Sequence, residues 1–172
     1  MHVLFVCTGN ICRSPTAERL AAAHASAQQI PGFTASSAGT RAVIGHPIHA
    51  SAAEVLERLG GDSSSFAATQ LTSKVATAAD LVVTMTRDHR DAVLELAPAK
   101  LHRTYTLAEV SMLASRFHAR NVADLANLRP QLIPGEVPDV LDPIGQGADV
   151  FAAVGQQIAD LLPPVLELCR PE

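Results

Sequence analysis

Within Val6–Pro15, VCTGNICRSP, a cysteine and an arginine stand six positions apart, with a glycine, an asparagine and a second cysteine between them. A thiol and a guanidinium so spaced, after an apolar run and before a helix-like segment, suit chemistry on a bound anion. Such a loop presents unpaired backbone N–H groups at the start of a helix, where the helix dipole also favours negative charge. Gly9 would permit a left-handed turn that curls these groups inward, and Asn10 is the next most tolerant residue. Arg13 can close the cradle with a bidentate fork onto two anionic oxygens. Thr8, Ile11, Cys12 and Ser14 complete the expected phosphate-binding loop. Cys7, at its mouth, would be held as a thiolate by the same N–H groups and by Arg13. A thiolate facing a phosphoryl group is placed for in-line attack, while the cradle stabilises charge on the equatorial oxygens.

Other anion motifs fail on inspection. A nucleotide-binding P-loop needs Gly-Lys-Ser/Thr, and Arg13-Ser14 supplies no such lysine. Gly145-Gln146-Gly147 imitates a dinucleotide signature, but residue 150 is Val. No His, Cys or Glu spacing matches a metal site, so neither metal nor cofactor is expected. Thiolate attack expels an alkoxide or aryloxide that needs a proton. Asp142, before Pro143 on a loop bounded by Pro and Gly, is the leading candidate to supply it, and Asp139, three residues earlier, reads as a solvent-facing turn residue. Cys12 and Cys169 read as small buried hydrophobes. His89, inside the charged run Arg87–Asp91, reads as part of a solvated helix face, and His46 and His49 flank Pro47 near the presumed mouth.

The elements that must position these residues alternate between strand and helix. His2–Val6 is a short apolar strand, and Pro15–Ala27 is an Ala-rich helix with Ser14 as expected N-cap and Pro15 at its first position. Phe33–Ala38 reads as a second strand and Ser51–Leu59 as an amphipathic helix stopped by Gly60-Gly61. Asp80–Thr86 is the clearest central strand, followed by a helix from Asp88 to Leu96, and Leu101–Thr104 is a short fourth strand. Leu107–Leu128 is helical but interrupted, and Gln131–Gly147 is loop-like. Ala148–Cys169 is a long helix that Pro163-Pro164 should kink or break. This alternation predicts an α/β layer fold with a parallel sheet, whose ligands bind beyond the carboxyl ends of the strands.

The chain of 172 residues is expected to form one domain, and 48% hydrophobic with 17% charged residues is a globular composition. With 13 Lys plus Arg scattered along the chain and a net charge of −4, no basic stripe offers itself to nucleic acid. No apolar run approaches the roughly 18 residues that span a bilayer. The N-terminal MHVLFV lacks the basic start of a signal peptide, and three cysteines, an odd number, fit a reducing compartment. A cytoplasmic protein without a membrane partner is therefore expected.

On Cys7, Arg13 and Ser14, on Ser37-Ala38-Gly39-Thr40, on Asp80–Met85 and on Asp142-Pro143, the chain resembles the low-molecular-weight protein tyrosine phosphatases. The resemblance implies three layers, with helices on both faces of a four-stranded parallel sheet and the phosphate-binding loop after the first strand. It implies a cysteinyl-phosphate intermediate on Cys7, phosphate binding by Arg13, thiolate support by Ser14, loop shaping by Asn10 and proton donation by Asp142. It also implies a phosphorylated protein or small aryl phosphate as substrate, with no cofactor, for a monomer or weak dimer.

The chain departs from the family pattern where the ring would be recognised. Ile144 follows Asp142-Pro143 where those enzymes usually carry an aromatic, and Arg41–His49 contains no aromatic except histidines. Ile11 lies where the family's arginine phosphatases carry threonine, so Ile11 and Ile144 are the expected pocket residues and phosphoarginine is the alternative substrate. Arsenate reduction on this fold needs two relay cysteines after the third strand, and Met85–Pro98 has none.

Overall fold

The computed structural model describes residues 1–171. Its strands are β1 (His2–Cys7), β2 (Thr34–Gly39), β3 (Leu81–Thr84) and β4 (Thr104–Thr106). Its helices are α1 (Arg13–Ala27), α2 (Ala50–Arg58), α3 (Ser73–Ala78), α4 (Arg87–Leu96), α5 (Leu107–Ser115), α6 (Asp124–Leu128) and α7 (Ala148–Glu167). All strand pairs are parallel, in the order β2-β1-β3-β4.

Alternation along β1 sorts the core into two layers. Val3, Phe5 and Cys7 face the cluster built with α1, α2, α5 and α7, while Leu4 and Val6 face Ala76 of α3 and Val93 of α4. Both faces are covered, which is why β1 and β3 read as unbroken apolar runs. The chain leaves β1 for β2 on one side and returns to β3 on the other. The strand order therefore reverses at β1, and the segment after Cys7 sits at the crevice this creates.

Three expectations require correction. Helix α1 begins at Arg13 with Cys12 as N-cap and no side-chain cap, because the Ser14 hydroxyl is engaged by Cys7 and Asn10. Pro15 thus falls at the third helical position, still within the turn whose N–H groups have no intrahelical acceptor. The fourth strand is Thr104–Thr106, and Leu101 lies in a 3-10 turn over Pro98–Arg103. Leu101 is half-exposed while Thr-Tyr-Thr is buried, so pleated packing is won by the β-branched and aromatic residues. Helix α7 runs continuously through Pro163 and Pro164. Its buried stripe of Val154, Ile158, Leu162, Val165 and Leu166 packs on α1 and α5, and this burial outweighs the two missing N–H donors.

Candidate active site

The five residues Thr8–Cys12 link β1 to α1. Three of their carbonyls, with that of Cys7, are bound by the segment that follows β2. Thr40 N donates to Cys7 O, Arg41 N to Thr8 O, Val43 N to Gly9 O and His49 N to Ile11 O, all at 2.8–3.0 Å. By contrast, no backbone N–H of Thr8 to Cys12 donates to a protein acceptor among the described residues. A run of five N–H groups without a protein acceptor, just before a helix, leaves those donors free for an anionic ligand.

The left-handed turn is made by Asn10 at φ 55°, not by Gly9 as expected. Asn10 meets that cost because its fully buried amide is satisfied on both sides. Nδ2 donates to Ser14 Oγ at 2.8 Å and Ser37 Oγ at 2.9 Å, and Oδ1 accepts from Thr69 N at 2.8 Å. Ser37 in turn donates to Glu18, whose carboxyl is pushed above its usual range, first by burial, with the Ser37 hydrogen bond opposing. At the end of β2, a Cβ on Gly39 would stand 2.4 Å from Thr8 O and 3.0 Å from Asn10 N. Only glycine lets β2 approach the loop this closely.

Cys7 Sγ lies 2.9 Å from Ser14 Oγ and is buried at the floor of the site. Arg13 is buried beside it, aimed by an Nη1 bond of 2.8 Å to Val140 O. Its Nη2 is 3.7 Å from Asp142 Oδ2, and its buried Nε has no partner among the described residues. Asp142 is half-exposed on the rim, and its Oδ1 accepts from Ile144 N at 3.1 Å. A cavity of about 380 Å³ joins Cys7, Thr8, Cys12, Arg13 and Asp142 to walls formed by Ile11, Arg41, Val43 and Ile144.

Other candidates fall elsewhere. Asp139 ties the Asp142 loop to α4, accepting from Arg87 N at 3.0 Å, and does not line the cavity. His46 is exposed, and His49 caps α2 and stacks on Phe151 with ring centroids 5.1 Å apart; neither lines the cavity. Cys12 is buried as expected, and burial first, then the charges of Cys7 and Asp142, pushes its thiol up to about 12. Cys169 is buried at the end of α7, its Sγ 3.3 Å from Val165 O.

His89 is the clearest correction. It is only 6% exposed, its Nε2 is 2.8 Å from Thr8 Oγ1, and burial, then Arg13, lowers its pKa to about 4. The charged neighbours masked an inner-face spacing, since His89 and Val93 are the buried i, i+4 pair of α4. Sequence reasoning also missed Thr69 and the Val140 carbonyl, whose main-chain bonds leave no trace in residue type.

The family model described as low molecular weight phosphotyrosine protein phosphatase matches residues 2–169. The chain belongs to this family. As a phosphatase it is a hydrolase, and its four-stranded sheet with the loop after β1 is the family's architecture. The Ralstonia nicotianae protein named "Probable low molecular weight protein-tyrosine-phosphatase EpsP" is 34% identical over 87% of this phosphatase and 92% of its own length. A low-molecular-weight protein tyrosine phosphatase crystal structure from T. tengcongensis superposes with a TM-score of 0.78 at 30% identity, covering 97% of the phosphatase and 98% of that chain. The YwlE arginine phosphatase, in a form with a phosphorylated active-site serine replacing cysteine, superposes with a TM-score of 0.76 at 26% identity, covering 96% and 93% of the two chains.

Proposed function

We propose that the chain hydrolyses phosphotyrosine and small aryl phosphates through a cysteinyl-phosphate on Cys7. The observation that carries this reading is the run of five unpaired N–H groups beside Cys7 Sγ, together with the orphan Nε of Arg13. In the first step Cys7 sulfur attacks phosphorus, the bond from phosphorus to the tyrosyl oxygen breaks, and Asp142 delivers its proton to that oxygen. Arg13 and the loop N–H groups hold the equatorial oxygens, and the Ser14 hydroxyl donates to the thiolate. In the second step Asp142 takes a proton from water, whose oxygen attacks phosphorus as the S–P bond breaks, giving inorganic phosphate. The phosphorylated serine of the YwlE neighbour supports phosphoryl transfer to the residue at this place in the loop.

Ile11, Val43 and Ile144 offer an aliphatic mouth to the leaving group. Isoleucine gives van der Waals contact to a ring and cannot hydrogen-bond a guanidinium. Aromatic pairs contribute only about 0.5–1.5 kcal/mol beyond burial, so their loss weakens aryl binding without changing the chemistry. A panel of phosphotyrosine, phosphoserine and phosphoarginine peptides should therefore give the highest kcat/KM on phosphotyrosine, and Ile11→Thr should raise the phosphoarginine share. A wild-type preference for phosphoarginine would overturn the assignment.

The proposed setting is cytoplasmic, with the chain acting as one catalytic unit, a monomer or weak dimer. Three free buried cysteines suit a reducing compartment, and among the described residues no helix is long and apolar enough to cross a membrane. Mild peroxide should convert Cys7 to the sulfenic acid, releasing water; the Cys12 thiol then displaces a second water to give a disulfide that thiols reduce. Because Cys12 is pushed up to about 12, this trapping should quicken as pH rises. Over-oxidised Cys7 beside free Cys12 in mass spectra would refute it.

A further inference from the structure

We infer that His89 is a positioning residue that turns the Thr8 hydroxyl proton toward the bound phosphoryl group, making Thr8 a side-chain phosphate donor. Thr8 lines the cavity next to Cys7, and the one protein partner of its hydroxyl among the described residues is His89 Nε2 at 2.8 Å. A hydroxyl has a single proton, so its direction depends on whether this nitrogen donates or accepts.

The ring's other nitrogen decides. His89 Nδ1 is buried without a partner among the described residues. The residue lies in the first turn of α4, where its backbone N–H donates to Thr86 Oγ1, and its ring packs against the loop after β1. Arg13 faces it from α1, Asp88 from its own helix, and Asp139 and Asp142 from the loop before α7. Burial keeps the ring neutral through the physiological range, so only one nitrogen carries hydrogen. Were it Nδ1, an N–H would be stranded in the core, the rarest kind of unpaired polar group. With hydrogen on Nε2, the ring donates to Thr8 Oγ1 and leaves only a bare lone pair unpaired. The Thr8 proton must then point away from the ring, on a residue that lines the cavity.

This inference rests on reading the loop as the phosphate site, and the test separates the two. Affinity for inorganic phosphate, measured by calorimetry, needs no turnover. Wild-type protein that binds no phosphate would sink the reading of the loop itself. With phosphate bound, losing one hydrogen bond to a charged group should weaken affinity by about tenfold or more in Thr8→Val. Thr8→Ser should stay near wild type, and His89→Phe, which leaves the hydroxyl in place but free to turn, should lose part of what Thr8→Val loses. The double variant should lose no more than Thr8→Val alone, because the histidine acts only through that hydroxyl. His89→Gln, which keeps a donor, should recover most of the affinity, an outcome that a purely structural histidine would not produce. Long-range proton–nitrogen NMR on the wild type should find hydrogen on Nε2. Independent, multiplicative losses in the double variant, unchanged affinity in Thr8→Val, or hydrogen on Nδ1 would each overturn the inference. Should His89→Phe not fold, the NMR result and the contrast between Thr8→Val and Thr8→Ser still decide it.

Discussion

Cys7→Ser is expected to bring turnover of aryl phosphates to background while leaving phosphate and vanadate affinity close to wild type. Loss of the nucleophile from a covalent hydrolase costs on the order of 10⁶-fold in kcat, and an alcohol is far less ionised near neutral pH than a thiol. Binding survives because the anion is held by groups that serine does not touch, namely the unpaired loop N–H groups and Arg13 Nε. The substitution is small, and the Ser14 hydroxyl 2.9 Å from the present sulfur can still pair with the new oxygen. Steady-state turnover with titration of vanadate separates the two quantities. Appreciable turnover by the serine variant would remove the covalent mechanism.

The second large effect belongs to Asp142→Asn. Its carboxylate oxygen Oδ1 accepts from Ile144 N, and an amide oxygen can keep that turn closed. What disappears is the proton, so turnover should fall by about 10²–10⁴-fold for substrates with poor leaving groups. For phosphates of acidic phenols, which depart without protonation, the loss should shrink toward nothing. Plotting log kcat against leaving-group acidity for both proteins makes the comparison. Parallel lines would assign the loss to a disturbed loop instead of a missing acid.

Most of what positions this site could be read before any coordinates. An apolar run, a Gly-Asn pair and a Ser-Pro helix start are local signals, and they located β1, the loop and α1. Cys7, Ser14, Arg13 and Asp142 lie together in the structure, although Ser14 and Asp142 are 128 positions apart in sequence. What could not be read depends on packing at a distance. Prolines 163 and 164 carry a strong local instruction to break α7, which the helix's buried stripe overrides. Thr104–Thr106 becomes β4 because it lies beside β3, whereas Leu101 is more apolar but has no strand to join. Propensity favours Gly9 for the left-handed residue, yet the side-chain partners of Asn10 decide the matter. His89 is hidden because the exposed Arg87, Asp88 and Asp91 flank it in sequence, while its own ring turns inward to Thr8.

The close approach of Gly39 to the loop bears on how the enzyme behaves as its product accumulates. Because β2 abuts the backbone of Thr8 and Asn10, the cradle is shaped by the fold and needs no ligand to assemble it. A preassembled cradle spends no binding energy on ordering itself, so a bare tetrahedral anion collects nearly the full benefit. The aliphatic mouth gives an aryl group van der Waals contact without aromatic stacking, so it favours an intact substrate over the phosphate left behind only modestly. Inorganic phosphate is therefore expected to compete with substrate on almost equal terms, so that the rate of dephosphorylation follows the phosphate level of the compartment in which the enzyme works.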